Sequence, residues 1–375
     1  MKPKNEKPTI LVIDDEPDRL RDEFALWFFN DANTYTQHPN DLEIDDLESA
    51  DLVLVDYRLD EWPQRDLQAI SLRPKNGVAL ASILREYADE FNTSELKAFA
   101  LHTAHLRDIQ GRFPTGTAQH VLARLNNVEW IFPKTESRRF DQMLHLAEAV
   151  RRLPSEWPND SAKVVRKLLA MDEESNSHER CWHDVKDCRV PIDEMTDGGH
   201  GILFIRWLLH DVLPYPCFLW AEHWVAARLR ISLDALREVL KGNSVLAQEL
   251  RSMRYTGILA GFLGKRWWRG ALEDYVWNLT GGHKVDGQQF RDVLTKCAGM
   301  ELDPVDANPA VVCLDNELEP TEGFKSPMDV VTLRPDHWPP FAEPAWIDID
   351  TVRDDPLLIS IVDPLDLHRV GIDDE

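Results

Sequence analysis

Thr9-Ile10-Leu11-Val12-Ile13 runs directly into Asp14-Asp15-Glu16. Five apolar or β-branched residues with no polar alternation read as a strand buried on both faces, the kind that builds parallel sheets. Three more runs have the same form. Asp51-Leu52-Val53-Leu54-Val55 ends at Asp56, Ala98-Phe99-Ala100-Leu101-His102 ends at Thr103, and Val128-Glu129-Trp130-Ile131-Phe132 ends at Pro133-Lys134. Helical patterns lie between them, clearest over 77–87 and 139–150. Strands alternating with helices predict right-handed crossovers and an open parallel α/β sheet. Ligands of such sheets bind beyond the carboxyl ends of the strands, and each of these four strands delivers a polar residue there.

The residue types at those ends imply a chemistry. Three converging carboxylates repel one another by several kcal/mol unless a cation sits among them. Hard oxygen ligands suit Mg²⁺, which keeps several waters and leaves room for a phosphoryl group. A lysine and a hydroxyl complete a cage around a highly charged transition state, where catalysis is mostly positioning and charge neutralisation. One carboxylate then serves as nucleophile and becomes an aspartyl phosphate.

The order Asp14-Asp15, Asp56, Thr103, Lys134, each at a strand end, resembles the receiver domain of bacterial response regulators, over roughly residues 8–152. The resemblance implies a flavodoxin-like doubly wound sheet with Asp56 as phosphoacceptor. It also implies that Asp15 ligates Mg²⁺ directly, that Asp14 acts at the metal partly through water, and that the backbone carbonyl of Arg58 supplies another ligand. Thr103 would report phosphorylation and Lys134 would bind the phosphoryl oxygen. Partners implied are a histidine kinase or phosphotransfer protein, with an effector protein or a second receiver on the receiver face. The chain departs from the family pattern in four places. Gly77 lies 21 residues after Asp56, which implies an insertion after the acceptor strand, and the interval from Thr103 to Lys134 is long. Pro133 precedes the lysine instead of following it. Ile131 occupies the usual switch-aromatic position, flanked by Trp130 and Phe132.

The net charge of −24 is unevenly spread: about −10 over residues 1–160, about +1 over 161–300 and about −15 over 301–375. Only the middle stretch escapes a field that repels nucleic acid, so nucleic-acid binding is disfavoured. No apolar run reaches the ~20 residues of a membrane span, and the start carries no signal-peptide pattern. Five cysteines argue against a disulfide framework. A cytoplasmic protein without membrane contact is expected. Prolines 154 and 158 after a helical pattern mark a boundary. The expected organisation is a receiver-like domain over 1–153, a helical output domain over 160–300, and an acidic, Pro-rich segment over 301–375 whose short strands pack on the helices.

In the middle region, helices are expected at 161–171, 200–213, 217–229, 233–240, 244–253 and 258–279. The stretch 225–240 has the rhythm of a helix-turn-helix with Ser232 as N-cap, but Arg230 replaces the customary turn glycine and Asp234 and Glu238 lie on the outer side. A helical-bundle corner fits those acids better than DNA reading. Lys265-Arg266-Trp267-Trp268-Arg269 mixes base and aromatic, which serves interfaces and single-stranded nucleic acid alike; a helix whose basic edge contacts the acidic receiver or tail is the preferred reading. Cys181, His183 and Cys188, with His178 or His200, carry zinc-ligand chemistry at a spacing that matches no standard zinc module. No nucleotide-binding loop, nucleophile elbow or zinc-protease motif is present. The expected function is therefore phosphoryl-switched signalling through a helical output domain. The alternatives are a transcription regulator working through 225–240, or a conflict or defence effector acting through the helical domain.

Overall fold

The computed structural model describes all residues except 1–6, 63–73, 91–95, 111–118, 159, 172–175, 197–200, 284–285, 306, 308 and 373–375. The first half alternates as expected: β1 (Thr9–Ile13), α1 (Pro17–Trp27), β2 (Asn33–Gln37), α2 (Ile44–Ser49), β3 (Leu52–Val55), α3 (Gly77–Glu90), β4 (Ala98–Thr103), α4 (Leu106–Gln110), α5 (Gln119–Leu125), β5 (Trp130–Pro133) and α6 (Arg139–Arg152). The sheet order is β2-β1-β3-β4-β5 and every pairing is parallel. β2, with its polar sequence Asn-Thr-Tyr-Thr-Gln, is the strand that the apolar-run criterion overlooks. As an edge strand it is half exposed and does not need the continuous apolar character of its neighbours.

Alternate side chains of the strands feed two cores. Leu11, Ile13, Val53, Val55, Phe99, Leu101 and Ile131 join α2, α3 and α5 on one face. On the other, Phe24 of α1 packs edge-on against both His102 of β4 and Phe140 of α6. The sheet is thus sandwiched between helices, which explains why β1, β3, β4 and β5 are apolar at nearly every position.

Beyond α6 come α7 (Ser161–Leu168), α8 (Asn176–Asp187), α9 (Ile192–Thr196) and α10 (Ile202–Trp207), which continues into a π-helical turn at Leu208–Val212. They are followed by β6 (Leu219–Trp220), α11 (Glu222–Leu229), α12 (Leu233–Lys241), α13 (Val245–Ser252), β7 (Trp267–Trp268), α14 (Arg269–Leu279) and α15 (Gly287–Ala298). The expected helices over 217–229 and 258–279 are interrupted. β6 and β7 pair antiparallel, and the backbone turns through Gly261 and Gly264 at φ of 90° and 86°, conformations a helix does not contain. The last 75 residues form a four-stranded mixed sheet in the order β10 (Val330–Leu333), β11 (Ala345–Asp348), β8 (Val311–Leu314), β9 (Pro320–Lys325), closed by a core of Leu314, Val331, Leu333, Ile347 and Val352.

Contacts divide the chain into two compact units. One comprises 1–169 with 191–210 and 257–263; the other comprises 170–190, 211–256 and 264–375. The sequence boundary near residue 154 separates neither. Two later segments return to the α/β unit, and the acidic C-terminal sheet shares its unit with α8 and α11–α15.

Candidate functional site

The carboxyl ends of β1 and β3 lie side by side, because β1 pairs with β3 from Ile10–Leu52 to Ile13–Val55. That register sets Asp14, Asp15 and Asp56 beyond adjacent strand ends, with one carboxylate oxygen of each within 4.8 Å of the others. The site occupies the sheet's switch point, where β1 lies between β2 and β3 and the chain leaves in opposite directions. Lys134, just past β5, reaches across to place Nζ 3.1 Å from Asp14 Oδ2 and 3.2 Å from Asp56 Oδ2.

Each acid is held differently. Asp14 Oδ1 accepts from the Glu16 backbone N–H at 2.8 Å, and Asp15 Oδ2 accepts from Glu61 N–H at 2.6 Å. Asp56 Oδ1 is buried and has no hydrogen-bond partner among the described residues. Burial, opposed by Lys134 and reinforced by Asp14, pushes the Asp56 carboxyl up to about 6. Burial also raises Asp15, partly offset by the bond from Glu61 and reinforced by the Asp14 charge. A solvent-poor carboxylate oxygen without a donor, beside two more acids, is the environment that a hard divalent cation satisfies.

Thr103 is fully buried at the end of β4, where its Oγ1 accepts from His105 N–H at 2.9 Å and its carbonyl accepts from Lys134 N–H at 2.7 Å. The Arg58 side chain turns away to Asp108, with Nη2–Oδ2 at 2.6 Å. Residues 63–73, within the stretch between Asp56 and Gly77, lie outside the described residues, yet Gly77 returns to the strand end. Its N–H donates to Tyr57 O at 2.9 Å, and a Cβ there would overlap the Asp56 carbonyl oxygen. Sequence distance concealed this glycine's place; the requirement for close backbone approach explains the residue.

The remaining candidates are not gathered into a site. Cys181 and Cys188 are buried, and burial pushes the Cys181 thiol up to about 12. His183, with a side chain 64% exposed, lies beside Glu179 on the outer face of α8. His178 and His200 lie outside the residues whose side chains are described. Among the described residues the three acids at β1 and β3 are the one group with metal-ligand geometry. Trp267 and Trp268 are 1% and 3% exposed, so they cannot stack on nucleic acid; Arg266 donates to Leu213 O, Lys265 is exposed, and Arg269 pairs with Glu273 and Glu343. The last pair matches the expectation of a basic edge against the acidic tail. Over 225–240 a helix-turn-helix does form, capped by Ser232 Oγ on Ala235 N–H, and Asp234 and Glu238 point outward from it.

One buried cluster of charged groups escapes the strand-end reasoning. Glu129, 0% exposed at the start of β5, lies between Arg85 and Arg206, with Arg206 Nε 2.8 Å from Oε1 and Arg85 Nη2 3.1 Å from both oxygens. His210 donates Nε2–H to the Glu129 carbonyl at 3.0 Å. Phe262 meets Trp130 edge-on at 5.0 Å and approaches Phe132, while its carbonyl accepts from Gln142. A charged residue opening an apolar strand was the available signal for an internal partner. No protein-family model matches the chain, and no curated protein matches it.

Proposed function

We propose that this chain is a receiver-type signalling protein that accepts a phosphoryl group on Asp56. The observation that carries the reading is Asp56 Oδ1, buried without a partner, while Oδ2 of the same carboxylate is held by Lys134 at 3.2 Å. A flavodoxin-like arrangement of the sheet, with the acids at the switch point, supports it. Asp14, Asp15, Asp56 and the Arg58 carbonyl would hold Mg²⁺, which when bound neutralises charge on the transferring phosphoryl group. The Asp56 carboxylate forms the new O–P bond, and the donor's leaving group departs with the electron pair of the bond that breaks. Lys134 stabilises charge on the phosphoryl oxygens. Thr103 must give up His105 N–H if its hydroxyl is to turn toward the phosphoryl group, and this links the site to the β4–α4 loop.

The donor in this reading is a histidine kinase or phosphotransfer protein, and the output runs through the second unit to an effector protein or a second copy. The outward acids Asp234 and Glu238 count against duplex DNA as the target of α12. Among the described residues no helix is long and apolar enough to cross a membrane. The test is intact-mass measurement after incubation with Mg²⁺ and acetyl phosphate. A phosphoryl adduct on the wild type and none on Asp56→Ala is expected; equal adducts on both, or none on either with acetyl phosphate and with a phosphorylated phosphotransfer protein, would overturn the reading.

A further inference from the structure

The second unit contains a cleft of about 230 Å³ between the α11–α12 turn, the start of α15 and the residues Leu302, Pro304, Val305 and Ala307. Its lining joins the apolar Leu229, Leu302 and Pro304 to Arg230, Phe290 and Arg291. In a chain of net charge −24, neither arginine has a carboxylate partner among the described residues. The contrast with the adjoining helix is direct: Arg237 of α12 pairs with Glu222 at 2.7 Å. The nearby acid Asp292 accepts from the Gln288 amide at 2.7 Å.

Arg230 carries a second peculiarity. It ends α11 in the left-handed conformation, at φ 56° and ψ 39°, a position that glycine fills without strain. A long cationic side chain kept in a sparsely populated backbone conformation points to a role for the side chain. Its guanidinium lies over the Phe290 ring, 5.7 Å from the centroid.

We infer that this cleft binds a small organic anion with an apolar body, the head group taken by Arg230 and Arg291 and the body lying on Leu229, Leu302 and Pro304. The cleft is smaller than the roughly 300–1,000 Å³ of sites for drug-sized ligands, which limits the occupant to something near the size of one substituted ring. Carboxylate and phosphate-ester heads share the chemistry two guanidiniums recognise, and the experiment separates them.

Calorimetric titration of the full chain would use benzoate and phenyl phosphate as anionic probes. Benzamide supplies the same body without charge, and inorganic phosphate supplies charge without the body. One site per chain is expected for at least one anionic probe, the tighter of the two naming the head group, with benzamide and inorganic phosphate each at least about tenfold weaker. Arg291→Gln, on the exposed face of α15, should weaken binding by about tenfold or more. Arg230→Gly should do the same while leaving the melting temperature unchanged or raised, because glycine suits the turn. Absence of binding by both anionic probes, equal binding of benzamide, or binding that survives both substitutions would overturn the inference.

Discussion

At the scale of single residues, the acid pocket stores unfavourable electrostatics. Asp56 is raised to about 6 chiefly by burial, so above that pH the folded state carries an ionised carboxylate that the unfolded chain holds more easily. The penalty is absent below the ordinary value of 3.8, grows as pH rises toward 6 and is complete above it. Asp56→Asn should therefore stabilise the metal-free protein at pH 7.5 by about 2 kcal/mol in denaturant unfolding, while abolishing the phosphoryl adduct. An unchanged or lower unfolding free energy would contradict this account. Gly77 makes the opposite kind of demand. A methyl group there meets the Asp56 carbonyl, so Gly77→Ala should cost about 1–3 kcal/mol and slow adduct formation through the displaced strand end; the paired readout is unfolding free energy and adduct rate.

At the scale of elements, β5 is where the α/β unit is tied to segments distant in sequence. Glu129 anchors Arg85 of α3 and Arg206 of α10 around one buried carboxylate. Removing it leaves two partly buried guanidiniums uncompensated, so Glu129→Ala should destabilise by about 3 kcal/mol, and hydrogen exchange should quicken in α10 as well as β5. The adjacent His210 is pushed down to about 4, first by burial and despite its bond to Glu129, so the folded state keeps it neutral while the unfolded chain protonates near 6.5. Below about 6.5 the unfolded state gains the proton first, and stability falls with pH until the folded group also titrates near 4. At pH 5 this group costs about 2 kcal/mol relative to neutral pH. His210→Gln should flatten the loss of melting temperature between pH 7.5 and 5; a slope identical to wild type would rule out His210 as its source. Buried His102, lowered in the same direction by burial and by Lys134, contributes a remaining part.

At the scale of the whole molecule, the unit built on the parallel sheet draws on three stretches of chain. Residues 1–153 excised alone would lack Arg206, His210 and Phe262, leaving Trp130, Phe132 and Glu129 without their covers. Such a fragment should melt lower and be cut faster by protease than the same region in the full chain; equal resistance would show that 191–210 and 257–263 are dispensable to it. Four strands, their order of acids and the lysine were legible in the sequence, because strands buried on both faces must be apolar and the polar residues that end them stand out. Three of the four tail strands, β8, β10 and β11, were legible for a similar reason, as short apolar runs between Pro and Asp, whereas β9, with its sequence Pro-Thr-Glu-Gly-Phe-Lys, was not. Legibility ended where the determining interaction was distant along the chain. β2 needed its edge position, and Gly77 its approach to Asp56 from 21 residues away. Local pattern thus determined the α/β character of the first half and the residues of its acid pocket, since burial and repulsion act on each strand separately. Tertiary structure alone decided which later segments complete that unit and which arginines keep carboxylate partners, because pairing energy depends on contacts that no local periodicity encodes.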